Sequence, residues 1–446
     1  MVSVPVGEVP EAIARIARPI HGDDELDQLI DLIGDARIVM LGECTHGTHE
    51  FYEMRSALTR RLIAQKNFAG LAIEGDWPDA LRADRYVRRL GDDESADSAL
   101  ASFQRFPSWM WRNEVVAELL DWIRTYNRHF ENASERAGFY GLDLYSLHAS
   151  IRAVLSFLEH TEPELAAKAR ERYACFDHAN GDPQRYGMHA FHGLADDCED
   201  EVIDQLVEMQ RRHSARSGRT PGGDAWFQAI QNAHVVKDAE AYYRTMFGGR
   251  SASWNLRDTH MADTLDMLAK HLGGKSPAKI VVWAHNSHVG DARATEMGRD
   301  GQLTLGQLAR QRHPGEVALV GFTTHTGSVE CAYDWDEPGH RERVRPSLPG
   351  SWEELFHESG VGNFMVTSAA LKHTIGERAE RLHRAIGVVY RPETERRSHY
   401  YQARLADQYD VIVHLDETRA VTTLDRDDLP SASATIDLPE TFPTGV

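Results

Sequence analysis

The chain has 446 residues, 41% hydrophobic and 26% charged, the mixture of a folded globular protein with room for two or three domains. Its 69 acidic against 49 basic residues leave a formal net charge of −20, which excludes the polycationic surface that binds nucleic acid non-specifically. No stretch approaches 18 uninterrupted apolar residues, so no membrane span is expected.

In chain order, the opening MVSVPVGEVPEAIARIARPI lacks a basic segment followed by a long apolar one. No signal peptide is therefore expected, and the cytoplasm is the expected compartment. Cys44, Cys175, Cys198 and Cys331 show no C-x-x-C spacing and are expected as reduced thiols. Short β-branched runs follow: ARIVMLGE (36–43), GLAIEGD (70–76), AGFYGLDL (137–144), KIVVWAHN (279–286), VALVGFTTH (317–325), AIGVVY (385–390) and DVIVHLDE (410–417). The first four are nearly continuous in apolar residues, as in strands covered on both faces of a parallel sheet. Phe51, Met54, Leu58 and Leu62 have helical spacing before the second run, and Met261, Leu265 and Leu268 before the fourth. Strand–helix–strand alternation predicts an α/β fold, a central mainly parallel sheet flanked by helices.

Residues 77–136 and 145–250 are too long for simple crossovers and carry helical patterns such as AVLSFLEH and EVIDQLVEMQRRH. The expected organisation is an α/β core of 1–76, 137–144 and 251–430, interrupted by helical insertions at 77–136 and 145–250. RTPGGD (219–224) reads as a flexible loop within the longer SARSGRTPGGD surface stretch, and 431–446 as a draping tail.

Ionisable residues fall where these strands end: Glu43 and His46 after the first, Glu74 and Asp76 at the second, Asp143 at the third, His285 and His288 after the fourth. Parallel strands bring those ends to one sheet edge, where open α/β sheets bind ligands. Arg55 lies within the apolar arc of its helix and calls for a buried carboxylate, with Glu43 and Glu74 as candidates. His49 and Glu50 read as first-turn residues that complement the helix dipole. No G-x-S-x-G is present, so a serine nucleophile elbow lacks its signature. His46, oriented by Glu43 or Glu74, could instead activate water, with His285 or Arg55 polarising a carbonyl. A zinc or manganese site built from the same His and Glu residues is the alternative, although H-E-x-x-H is absent. GGKS (273–276) is no phosphate loop, because Ala269 replaces the first glycine and the segment precedes its strand.

The blocks LGECTHGTHEFYEMR, AIEGDWPDA, YGLDLYSL, DAEAYYR, SWNLRDTHMADTL, VVWAHNSHVGDAR and SHYYQARLADQYDVIVHLDETRAV together resemble the erythromycin esterase family over about residues 35–425. The resemblance implies a metal-independent, cofactor-free esterase or lactone hydrolase with a helical lid over an α/β core. It implies His46 as general base, Glu43, Glu74, Arg55 and His285 positioning or polarising, and His288 binding substrate. The family includes succinoglycan-biosynthesis-like relatives whose substrates are obscure. A more distant likeness of G-E-x-x-H to metal-using proteases and haem-binding proteins leaves a metal enzyme or a non-catalytic binder as alternatives. Cys44 fills the variable slot of that motif. Asn255, Arg257, Arg419 and Asp143 are further polar candidates at the same edge. Trp109 and Trp111 would line an apolar lid surface or else pack the lid on the core. The expected partner is a small-molecule ester or lactone, with oligomeric state left open.

Overall fold

The structure is a computed structural model that describes residues 8–179, 181–194, 196–213 and 221–425. Its strands are β1 (Arg18–Pro19), β2 (Ile38–Leu41), β3 (Gly70–Asp76), β4 (Gly138–Asp143), β5 (Ile280–Trp283), β6 (Val317–Cys331), β7 (His340–Val344), β8 (Phe364–Thr367), β9 (Arg381–Arg384), β10 (Tyr400–Ala403) and β11 (Val411–Thr418). β11, β6, β2, β5, β3 and β4 lie side by side in that order, all parallel. β8 and β1 extend the β11 edge antiparallel, β7 pairs with β6, and β9 with β10 form a separate antiparallel pair. Leu41 is in register with Trp283, Trp283 with Ile73, and Ile73 with Gly141. The residues that follow these four therefore leave from one edge.

Every residue of β2, β3, β4 and β5 is buried, which explains the unbroken apolar runs. Because side chains alternate along a strand, Val39, Leu41, Leu71, Ile73, Val281 and Trp283 face one apolar layer with the helices Asp23–Ile33, His49–Lys66, Trp77–Val87 and Glu114–Tyr126. Ile38, Met40, Ala72, Ile280 and Val282 face the other, with the helices Arg250–Leu272, Leu305–Arg312 and Trp352–Glu358. The helices of 77–136 thus share the core of one sheet face. Those between Leu147 and Thr245 build a separate apolar cluster of their own, around Leu158, Tyr186, Tyr242 and Tyr243. No helix among the described residues is long and apolar enough to cross a membrane.

Several local expectations change. Residues 385–390 form only isolated bridges, Thr45 with Ile386 and Ala332 with Val389; the pairing strand there is β9, one step earlier. Of the expected 219–224 loop, Pro221 onward is the first turn of the Pro221–Thr245 helix, where proline suits the N-terminal position; residues 214–220 and 431–446 lie outside the described residues. Cys175 and Cys198 are joined as a disulfide with Cα atoms 5.8 Å apart, leaving Cys44 and Cys331 as buried free thiols. Spacing in sequence hides that pair, because helix packing rather than a short motif brings the two together.

Candidate active site

The exit from β2 carries the first half of the site. His46 Nδ1 lies 3.0 Å from Glu43 Oε1, and Arg55 donates to Glu43 Oε2 at 2.6 Å. Arg55 and His46 have no exposed surface and Glu43 has 1%. The Arg55 guanidinium lies 4.6 Å from the ring centres of both Tyr52 and Trp283, so a planar cation is held between aromatic faces as it clamps the carboxylate. The Tyr52 hydroxyl donates to the His46 carbonyl at 2.6 Å. A carboxylate can only accept, so Glu43 fixes the His46 proton on Nδ1 and leaves Nε2 as the basic nitrogen. Two glycines bracket this segment. A Cβ on Gly42 would collide with the Asn286 side chain, and one on Gly47 with the Glu330 carbonyl.

The β5 exit brings the second imidazole. The His46 and His285 ring centres are 4.7 Å apart at 41°. The Ser287 N–H donates to His285 Nδ1 at 3.2 Å, with the Ser287 hydroxyl 2.8 Å from the same nitrogen. The neutral ring therefore carries its proton on Nε2. Burial and the neighbouring His46 push His285 well below the usual histidine range, which keeps it neutral. The His285 N–H donates to Glu74 Oε2 at 2.7 Å. β3 shifts register against β4 between Ile73 and Asp76, a bulge of the kind that re-aims side chains at sites.

Behind Glu74 lies an ion cluster. Arg257 donates to Glu74 Oε1 at 2.9 Å and grips Asp143 through Nε at 3.0 Å and Nη2 at 2.6 Å. His288 Nδ1 is 2.9 Å from Asp258 and its Nε2 is 3.3 Å from Glu74, while its ring stacks on Trp254 at 4.6 Å. Burial opposes charging of His288, yet Asp258 and Glu74 outweigh it and raise the group to about 10. Asp258 and Glu74 thus favour the protonated ring, while the Arg257 guanidinium, whose Nη1 lies 3.1 Å from His288 Nε2, opposes it. Burial alone would raise Glu74 too, but His288, Arg257 and His46 hold it well below the usual carboxylate range. Asp143 is likewise kept low by Arg257 against burial.

A cavity of about 30 Å³ reaches Glu74, Asp76 and Asp143 and is walled by Phe103, Phe106, Trp111 and Trp335. That holds one or two waters. Glu43, His46, Arg55, Glu74, His285, His288, Asp143 and Arg257 are thus brought together, and Trp111 lines the cavity. Trp109 instead packs within the apolar layer of the sheet and is absent from the cavity wall. Asn255 binds the Gly301 carbonyl and the Leu303 N–H; it is two residues from Arg257, about 200° around the helix. Arg419 is exposed and pairs with Glu50 at 3.3 Å, the first-turn acid of the His49–Lys66 helix.

Sequence reading missed Asp258, Trp254 and Arg105. The first two had a signal: Trp254, Arg257, Asp258 and Met261 continue the helical spacing of Met261, Leu265 and Leu268 backwards. Arg105 bonds Asp76 at 2.8 Å and lies 4.8 Å from the Tyr145 ring, whose centre is 4.9 Å from Arg257. No motif marks it. Among the described residues, no group of three or more His, Cys, Asp or Glu side chains is arranged to hold a metal ion.

The erythromycin esterase family model matches residues 63–418, starting after the Glu43–Arg55 segment. Erythromycin esterase type II of Escherichia coli is 23% identical over 366 residues, covering 78% of this chain and 84% of that protein. The crystal structure of a succinoglycan biosynthesis protein superposes with a TM-score of 0.73 at 20% identity, covering 93% of this chain and 98% of the other. An erythromycin esterase mutant in its open conformation superposes at 0.63 with 16% identity, covering 94% and 98%. Since the family model spans most of the polypeptide, this chain belongs to the erythromycin esterase family.

Proposed function

We propose that the protein hydrolyses a carboxylic ester or lactone with water activated by His46, without a serine nucleophile or a metal. The observation that carries this reading is the pair of facing imidazoles, 4.7 Å apart, whose Nδ1 atoms meet a carboxylate in one ring and an N–H in the other, an arrangement that leaves Nε2 basic on His46 and protonated on His285. His46 Nε2 takes a proton from water as its oxygen attacks the carbonyl carbon. His285 Nε2–H donates to the oxyanion. When the tetrahedral species collapses, the C–O bond breaks and His46 returns the proton to the leaving alkoxide, giving acid and alcohol. Glu43 and Glu74 are negative charges beside His46 and stabilise its transient imidazolium.

Against a metal-dependent variant of this site, Glu74 is already paired with the Arg257 guanidinium at 2.9 Å and has His288 Nε2 at 3.3 Å, and a further positive charge there would be repelled by Arg257. The cavity is too small for an ester and neither His46 nor His285 lines it, so substrate entry requires it to open as far as the two imidazoles. The helices of 145–250, with their own core, serve as the lid in this reading, and Phe103, Phe106 and Trp111 as an apolar wall. Macrolide lactones are one candidate substrate class and simple esters another. Turnover of short p-nitrophenyl esters and of a macrolide panel by wild type and by His46→Ala tests the reading. Equal rates for the two proteins would discard it.

A further inference from the structure

A second carboxylate–imidazole couple, Glu353 and His383, is fully buried and has no part in the chemistry above. Glu353 belongs to the Trp352–Glu358 helix and His383 to β9. Glu353 Oε1 lies 2.7 Å from His383 Nδ1 and also accepts the Arg384 N–H at 3.0 Å. As with Glu43 and His46, the acceptor-only carboxylate fixes the proton on Nδ1 and makes Nε2 an acceptor. That Nε2 is 3.4 Å from the Asn286 amide nitrogen and 3.4 Å from the Tyr409 hydroxyl. Tyr401 and Tyr409 present ring edges to the imidazole at 5.4 and 6.0 Å.

Asn286 is the residue after His285. Its N–H donates to the Glu43 carbonyl at 2.7 Å, so one residue ties the β5 exit to the β2 exit. Its side-chain amide donates to the Phe322 carbonyl at 2.6 Å and accepts the Phe322 N–H at 3.3 Å. Its own carbonyl accepts the Tyr409 hydroxyl at 3.3 Å. The Asn286 amide has two N–H groups; Phe322 takes one and His383 is placed for the other. Burying such a couple is weak support for stability, because an apolar pair of similar size does as well or better. What it supplies is direction.

We propose that Glu353 and His383 are positioning residues for the hydrolytic site. Glu353 sets the tautomer and orientation of His383, His383 holds Asn286, and Asn286 sets the spacing of His46 against His285. The proposal rests on the hydrolase reading, although neither residue touches substrate. The test compares His383→Gln with His383→Asn in the full chain. Gln carries its amide near the position of Nε2 and keeps the reach to Asn286, whereas Asn keeps only the reach to Glu353. A misplacement of about 1 Å costs on the order of 100-fold, so His383→Asn is expected to lose about 10- to 100-fold in kcat on a p-nitrophenyl ester, with KM within about twofold. His383→Gln is expected to recover most of it. Wild-type kcat in the Asn variant, or equal losses in both, overturns the proposal. If neither variant folds, Tyr409→Phe removes a single hydroxyl and is expected to lower kcat about threefold or more; unchanged kcat there overturns it as well.

A second arm needs no turnover. Diethyl pyrocarbonate labelling, read peptide by peptide, is expected to speed up at His46 and His285 in His383→Asn but not at the buried reference His260. Unchanged rates at the site, or equal acceleration at His260, overturn the proposal. A wild-type protein inactive on every ester sinks the hydrolase reading alone, and labelling then decides this one.

Discussion

His46 and His285 face each other at 4.7 Å with their protons on opposite nitrogens. The difference comes from their neighbours, since Glu43 accepts at His46 Nδ1 while the Ser287 N–H donates at His285 Nδ1. The division of labour predicts distinct mutants. His46→Ala should cost on the order of 10²- to 10⁴-fold in kcat, the usual value of a general base. His285→Gln, whose amide still donates near Nε2, should retain more activity than His285→Ala. Steady-state kinetics on an activated ester separate them.

Arg55→Met should destabilise the fold by roughly 3–5 kcal/mol, because it leaves Glu43 buried without its cation. Arg55→Lys should rescue little, since an ammonium cannot reproduce a planar group held between Tyr52 and Trp283. Urea unfolding measures both. Wild-type midpoints for either variant would contradict the clamp.

His288 sets a dependence on alkaline pH. Its folded value is raised to about 10, above an unfolded value of about 6.5. The folded state therefore holds the proton more tightly, and the stabilisation is fully present below about pH 6.5. It is lost as pH rises through about 10. Glu74, held low in the folded state, has the opposite sign: its contribution is present above the unfolded carboxylate value of about 4.3 and fades as pH falls. Urea titrations between pH 6 and 10 should show stability declining in wild type, with a shallower slope in His288→Gln. Parallel slopes would refute the assignment.

The shared sheet edge was legible because parallel pairing leaves little freedom: once β2, β3, β4 and β5 are aligned, Glu43, Glu74, Asp143 and His285 must leave from one edge. Arg55 was legible for the same reason, from its phase on the helix. His288 was found by position, but its surroundings were not legible, because only packing brings Asp258 and Glu74 to it. Arg105 and the Cys175–Cys198 bond were invisible, as both arise from how inserted helices fold back. β8 and β9 were passed over or shifted because FMVT and RLHR are only four residues each, and RLHR is mostly polar; short edge pieces carry little period-two signal.

The disulfide closes a loop of sequence separation 23. Its removal by Cys175→Ser with Cys198→Ser should cost about 3 kcal/mol, felt chiefly in the helical insertion. Thermal unfolding with and without reductant checks this. Thiol counting on the denatured, unreduced protein should find two, Cys44 and Cys331. Four would contradict it.

Chelation offers an independent check. Prolonged dialysis against a strong chelator should leave ester turnover unchanged, because Glu74 is already paired with the Arg257 guanidinium. Activity that falls on dialysis and returns with zinc or manganese would replace the proposed mechanism with a metal-assisted one.

The glycines on either side of the Glu43–His46 segment are closed to replacement for reasons that have nothing to do with reactivity. A single methyl at either one would strike atoms of another segment, the Asn286 side chain or the Glu330 backbone. Sequence change is therefore better tolerated on the outer faces of the inserted helices, whereas drift at 42 or 47 would pull His46 out of line with His285.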